Sequence, residues 1–158
     1  MSEPNILLTR IDNRLVHGQV GVTWTKTLGA NLIVVADDTA ATDTLQQQLM
    51  QVTAESSGVG IRFFSVQKTI DVIHKASASQ KIFLVCRTPK EVLALLDGGV
   101  PLKEVNVGNM HFDRGKRQIS KKVYVDDKDM ANLLEIQNRG VHLYIQDVPG
   151  DIKESVKE

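Results

Sequence analysis

Apolar residues in this chain gather in short runs of strand type. They recur at Asn5–Ile11, Leu32–Ala36, Ile61–Val66, Lys81–Cys86, Glu104–Val107, Lys122–Val125 and Val141–Gln146. The runs LIVVA at 32–36 and IFLV at 82–85 are unbroken and rich in β-branched residues. Strands covered on both faces of a parallel sheet read this way, whereas a half-exposed strand alternates.

The intervening segments carry helical spacing. Val20, Trp24 and Leu28 step by four, with Gly29 as a stop. Leu45, Leu49 and Val52 form a second apolar stripe, and Ile70, Ile73 and Ala76 a third. Thr88, Pro89 and Glu91 make a capping box with proline at the first helical position, and Gly98-Gly99 end that helix. A fifth helix starts near Asp126–Asp127, buries Met130, Leu133 and Leu134, and stops at Gly140. Residues 149–158 read as a further short helix. Strand–helix alternation over 1–158 predicts one α/β domain with an open, mainly parallel sheet and helices on both faces. The stretch Val105–Val125 has no room for a normal helix, so a local antiparallel strand is expected there, near the C-terminal third.

Composition narrows the class. The chain has 158 residues, with 19 basic and 19 acidic side chains and a formal net charge of zero. Such a balance argues against nucleic acid, which is bound through excess Lys and Arg. One Trp, two Tyr and four Phe are too few for a base-stacking platform. The single cysteine, Cys86, ends an apolar run and reads as a small buried hydrophobe. The N-terminus has no basic segment or apolar run of signal-peptide type, and no window approaches the roughly 20 apolar residues of a membrane span. A cytoplasmic protein without direct membrane insertion is expected.

Open α/β sheets bind ligands beyond the carboxyl ends of their strands. The loop after the first strand lies in LLTRIDNRLVHGQVG, residues 7–21, and places Arg10, Asp12, Arg14 and His17 within eight residues. Gly18 and Gly21 flank the histidine and free the backbone to turn its N–H groups toward one point. The loop feeds a helix N-terminus, which attracts anions. Two arginines add fork-shaped donors suited to phosphate oxygens. An imidazole titrates in the physiological range and offers a nucleophilic nitrogen when neutral. Asp12 suits the orientation of an arginine or of the ring. Asn13, Gly18 and Gly108 are candidate phosphate contacts. The plainer alternative is a surface histidine beside an ordinary ion-pair pattern, R-x-D-x-R.

GxxxxGK[ST] and GxGxxG are both absent, which removes the P-loop and dinucleotide fingerprints. No spaced His/Cys/Asp cluster suggests a metal, and no cofactor is implied. His74 is expected to face solvent. His142, in VHLYI, reads as a structural residue, and His111 is placed to share a face with His17. Asp37 and Asp38 read as caps of the second helix. The stretch DRGKRQISKK, residues 113–122, reads either as a solvated hairpin edge or as a docking patch for an acidic surface.

The run RIDNRLVHGQV closely resembles the active-site loop of IIB components of the bacterial phosphoenolpyruvate-dependent sugar phosphotransferase system (PTS), mannose–fructose–sorbose family. NVGNMHFDRGKRQIS resembles the later segment of that family, and the likeness spans essentially the whole chain, with an N-acetylgalactosamine/galactosamine branch suggested. It implies a phosphotransferase in which His17 is the phosphorylated residue, modified at Nδ1, with Arg10 and Arg14 near the phosphate and Asp12 as the loop acid. It further implies phosphoryl transfer from a IIA component to a sugar held by the membrane IIC and IID components, with which the chain associates peripherally. Because only four residues precede the first strand, the IIA donor is expected on a separate chain. A different class remains open at this point: a non-catalytic module holding a phosphorylated ligand or RNA through the Arg10/Arg14 loop and the 113–122 patch. A hydrolase using His17 as general base finds no partner nucleophile or carboxylate pair.

Overall fold

The computed structural model describes residues 3–158. Its longest strand, β1 (Asn5–Asp12), lies inside a six-stranded sheet with β2 (Leu32–Ala36), β3 (Gly60–Phe64), β4 (Lys81–Cys86), β5 (Glu104–Asn109) and β8 (His142–Ile145). The order is β3-β2-β4-β1-β5-β8, and every pairing is parallel. All five residues of β2 are buried, as its unbroken apolar run requires.

Two apolar layers cover this sheet. Helices α1 (Gly18–Leu28) and α2 (Thr44–Ser57) bury Trp24, Met50 and Ala54 against Leu8, Ile33, Val35, Phe83 and Val85. On the other face α3 (Val66–Val72), α4 (Pro89–Asp97) and α5 (Asp127–Asn138) enclose a larger cluster that includes Val92, Leu95, Met130, Leu133 and Ile136. Full burial of each such side chain contributes roughly 1.5–3 kcal/mol. The expected antiparallel element is a two-stranded hairpin, β6 (Arg117–Ser120) with β7 (Val123–Val125). It crosses the carboxyl end of β5, where Tyr124 N donates to Met110 O at 2.8 Å.

Strands β1 and β5 are neighbours whose connections leave for opposite faces. From β1 the chain enters α1 on one face, and from β5 it reaches β7 and α5 on the other. Their carboxyl ends therefore border the crevice of a topological switch point.

Several local expectations are corrected. Leu45, Leu49 and Val52 do not face the core; they are 67%, 65% and 61% exposed. The buried face of α2 is Met50, Thr53 and Ala54. Thr53 and Ala54 are small enough to let α2 lie close to α1, where a Cβ on Gly21 would approach Thr53 Cγ2 to 2.9 Å. Apolar spacing alone could not choose between two stripes on one helix. Asp43, not Asp37 or Asp38, caps α2 by accepting from Gln46 N at 3.1 Å. Residues 149–158 form no helix: Ile145 and Glu154 exchange antiparallel backbone bonds of 2.8 and 2.9 Å, and Val156 is buried. The tail thus covers the edge of β8. His142, on that same edge strand, is exposed and lies against the Tyr144 ring.

Candidate active site

The segment between β1 and α1 is a tight turn held from several sides. Asn13 N donates to Asn109 O at 3.1 Å, Leu15 N donates to Asp12 O at 2.9 Å, and His111 N donates to Asn13 Oδ1. Leu15 takes the left-handed conformation, φ 58°, with its side chain only 3% exposed. A non-glycine residue there costs on the order of 1–3 kcal/mol and persists only when its surroundings over-determine it. Burial of Leu15 and Val16 supplies part of that constraint.

His17 is the N-cap residue of α1, in extended conformation, with no capping bond from its side chain. The imidazole is therefore left at the helix mouth. Gly21 N is the first amide to bond back, to His17 O at 3.0 Å, so the amides of Gly18, Gln19 and Val20 open toward the same end. Gly18 has φ 47°, a conformation that favours glycine.

Asp12 lies under the ring and is completely buried. Its Oδ2 is 3.0 Å from His17 Nε2 and 3.1 Å from Arg10 Nη2, and its Oδ1 accepts from Arg14 N at 2.9 Å. Burial pushes this carboxyl pKa upward. The His17 bond, the Arg10 charge and the Arg14 amide outweigh it and hold Asp12 below the ordinary aspartate range. An ionised carboxylate only accepts, so Nε2 must donate, and the neutral ring carries its lone pair on Nδ1. Among the described residues no hydrogen bond to Nδ1 is present.

Arg10, expected near a phosphate, points into the interior behind Asp12. Its side chain is 2% exposed, and its donors are taken by Asp12, by Asn106 Oδ1 at 2.7 Å and by Gln146 O at 3.3 Å. Asp147 lies 3.7 Å away, and the guanidinium stacks over Trp24, 5.3 Å from the ring centroid. Burial lowers its pKa against the pull of Asp12. The expected phosphate contact Gly108 is likewise buried, and a Cβ there would overlap the Arg10 guanidinium. The absence of a side chain at Gly108 thus gives room to the Arg10 guanidinium. Arg14, by contrast, has an exposed side chain with no ion pair among the described residues, and remains the available cation of the loop. Asn13 uses its side chain to receive His111 N, which leaves its other groups to shape the turn.

The 113–122 stretch is less positive than its sequence suggests. Lys116 pairs with Asp129 at 2.9 Å, Arg117 with Asp127 at 3.1 Å and Lys122 with Asp147 at 2.7 Å. Beside the site, a cleft of about 440 Å³ opens between this hairpin and the C-terminal tail. His74 is exposed, as expected, and Cys86 is fully buried, which raises its thiol pKa.

Sequence reasoning missed Arg87, the residue just after β4. Its Nε and Nη2 grip Asp37 Oδ1 and Oδ2 at 3.2 and 3.0 Å, Nη2 also reaches Gln46 Oε1 at 3.1 Å, and Nη1 donates to Asn13 O at 3.0 Å. Asp37 Oδ2 in turn accepts from Ala40 N at 3.0 Å, where the short 3-10 turn Ala40–Thr42 begins. A signal existed: Arg87 follows the carboxyl end of the strand beside β1, where open sheets place functional groups.

Among the described residues no group of His, Cys, Asp or Glu is arranged to hold a metal, and no helix is long and apolar enough to cross a membrane. The family model described as the PTS system sorbose subfamily IIB component matches residues 6–158. The N-acetylgalactosamine-specific phosphotransferase enzyme IIB component 1 of Escherichia coli K12 is 65% identical over 158 residues, covering 100% of each chain. The mannose-specific EIIAB component of the same organism is 37% identical over 147 residues, 92% of this chain and 45% of that one. The crystal structure of the E. coli N-acetylgalactosamine-specific IIB component 1 superposes with a TM-score of 0.95 and 66% identity, covering 97% of this chain and 100% of that one. The IIB domain of the sorbose permease from Klebsiella pneumoniae gives a TM-score of 0.88 with 30% identity, over 94% of this chain and 91% of that one. A loop acid holding a histidine at a helix mouth, on a sheet of this order, therefore belongs to a phosphotransferase of sugar transport, and the chain is a member of the PTS sorbose-subfamily IIB components.

Proposed function

We propose that residues 1–158 act as one IIB domain that carries the phosphoryl group on Nδ1 of His17. The observation that carries this is the Asp12 Oδ2 contact to Nε2, at 3.0 Å. It fixes the tautomer, holds the ring plane and leaves the Nδ1 lone pair free to attack. In the first step that lone pair forms a bond to phosphorus while the P–N bond of a phosphohistidine on the IIA component breaks, and the donor nitrogen recovers its lone pair. In the second step a hydroxyl oxygen of the sugar forms the new P–O bond and the P–Nδ1 bond breaks. The recovered lone pair on Nδ1 can then accept the hydroxyl proton, so charge and protons balance.

The chain's own residues do the electrostatic work. Asp12 stabilises positive charge on the ring as the transition state develops. The amides of Gly18, Gln19 and Val20 and the exposed guanidinium of Arg14 face developing phosphoryl charge, which is the main requirement of such transfers. Arg10 acts one step back, as the buried counter-ion of Asp12.

The partners follow from the same reading. The IIA component supplies the phosphoryl group, and the mannose-specific relative that joins A and B functions in one chain supports that order. The membrane IIC and IID components present the sugar, which places the domain at the cytoplasmic face of the membrane. N-acetylgalactosamine is the proposed sugar, from the names of relatives 65% and 51% identical. Incubation with phosphorylated IIA should label the chain with acid-labile, alkali-stable phosphate. His17→Ala should abolish the label, and retained labelling would overturn the assignment.

A further inference from the structure

The peptide unit between Asn13 and Arg14 is pinned at both ends. Its carbonyl oxygen accepts from Arg87 Nη1 at 3.0 Å, and its N–H donates to Asp12 Oδ1 at 2.9 Å. In a trans peptide these two groups point in opposite directions, so the two contacts define one orientation of the plane. A flip would turn the carbonyl dipole onto the buried carboxylate and remove its amide donor. Asp12 holds His17 through the other oxygen, so anything that frees this peptide also loosens the support of the ring.

Arg87 is well placed to be a fixed anchor. A fork-shaped grip on Asp37 is the geometry in which arginine loses least freedom per bond. The grip ties the carboxyl end of β4 to that of β2, and Gln46 adds the first turn of α2. The loop needs such an anchor because Leu15, two residues further on, stands at φ 58°. Among the described residues the hydrogen bonds of Arg87 go to Asp37, Gln46 and Asn13 O and none to His17, so its effect passes through the 13–14 peptide and Asp12.

We propose that Arg87 is a positioning residue for phosphoryl transfer, acting by locking the Asn13–Arg14 peptide so that Asp12 presents one oxygen to His17 Nε2. The proposal rests on the assignment of His17 as the phosphoryl carrier. It is separate from the role of Arg14, which faces the phosphoryl group directly.

The test is single-turnover transfer from phosphorylated IIA to the full chain, with ring nitrogen shifts of His17 recorded by NMR. Arg87→Ala should slow transfer at saturating IIA about ten- to a hundredfold, the scale of one lost charged hydrogen bond. Half-saturation by IIA should stay within about twofold, and the His17 ring should change from the single Nε2–H tautomer to a mixture. Added guanidinium should restore part of the rate. Arg87→Lys can reach Asp37 or Asn13 O but not both in the same geometry, so it should be slowed as well; it stands in if the alanine variant does not fold. A wild-type rate in either variant, or a rate loss confined to half-saturation with an unchanged tautomer, would overturn the proposal. Wild-type chain that takes no label at His17 would instead overturn the site assignment.

Discussion

Asp12 Oδ2 sits 3.0 Å from Nε2 of His17, and that one contact engages one nitrogen of the ring and leaves the other open. The same oxygen is 3.1 Å from Arg10 Nη2, so the carboxylate is shared between a ring that must stay mobile in charge and a cation that never loses its own. Asp12 therefore serves two groups at one atom. It balances a buried guanidinium when the histidine is neutral, and under the proposed mechanism it would shield positive charge on the ring as phosphorus arrives.

Stability should fall in acid through Asp12. Its folded pKa is depressed, so its contribution is fully present above the unfolded aspartate value of about 3.9 and is lost as pH falls through the lower folded value. Asp12→Asn removes that contribution and strands the Arg10 charge, for a loss of about 3–5 kcal/mol at neutral pH. Urea unfolding between pH 6 and pH 2 should show the gap between wild type and variant narrowing below about pH 4. A gap that stays constant into acid would mean that the ionised form of Asp12 is not what the fold uses.

Gly108→Ala should damage the site without touching a phosphoryl group. The added methyl would occupy the space of the Arg10 guanidinium, which has no second place to go in a packed interior. We expect a loss of about 3 kcal/mol or more, from overpacking plus a disturbed buried pair. In an Arg10→Ala background most of that cost should vanish. Additive costs in the double variant would show that the two positions are not coupled.

The exposed stripe of α2 should be dispensable for stability. Leu45→Gln and Leu49→Gln are expected to change the unfolding free energy by no more than about 0.5 kcal/mol. Met50→Ala, on the buried face of the same helix, should cost about 2–5 kcal/mol. Equal costs on both faces would mean that α2 does not pack through Met50, Thr53 and Ala54.

Much of the fold was legible in the chain because a parallel sheet writes itself as unbroken apolar strands. LIVVA became β2 residue for residue, and the Thr88–Pro89–Glu91 signature became a capped helix, with Thr88 N donating to Glu91 Oε1 at 3.1 Å. The α2 face was not legible because Leu45, Leu49 and Val52 look more apolar than Met50, Thr53 and Ala54, yet close contact with α1 selects the face that carries the small Thr53 and Ala54. Within the site, spacing singled out the His17 loop but could not rank its arginines. Arg10 lies on a strand and Arg14 on the turn after it, and burial alone separates a counter-ion from an open cation. Arg87 is 70 residues from His17 in the sequence, and only the adjacency of β4 and β1 makes it relevant.

The open amides at the start of α1 set a ceiling as well as a welcome. A helix terminus steadies an anion by about 0.3–1 kcal/mol, and by up to about 2 in sheltered geometry. Whatever steadies a phosphoryl group on His17 is subtracted from its transfer potential, at a tenfold shift in the onward equilibrium per 1.4 kcal/mol. An intermediary between two partners must hold its cargo weakly enough to let it go downhill. The Arg10 guanidinium is turned inward to Asp12, Asn106 and Gln146, so under the proposed mechanism Arg14 and the helix mouth are left to meet the cargo, and the grip on a group that has to be passed on stays light.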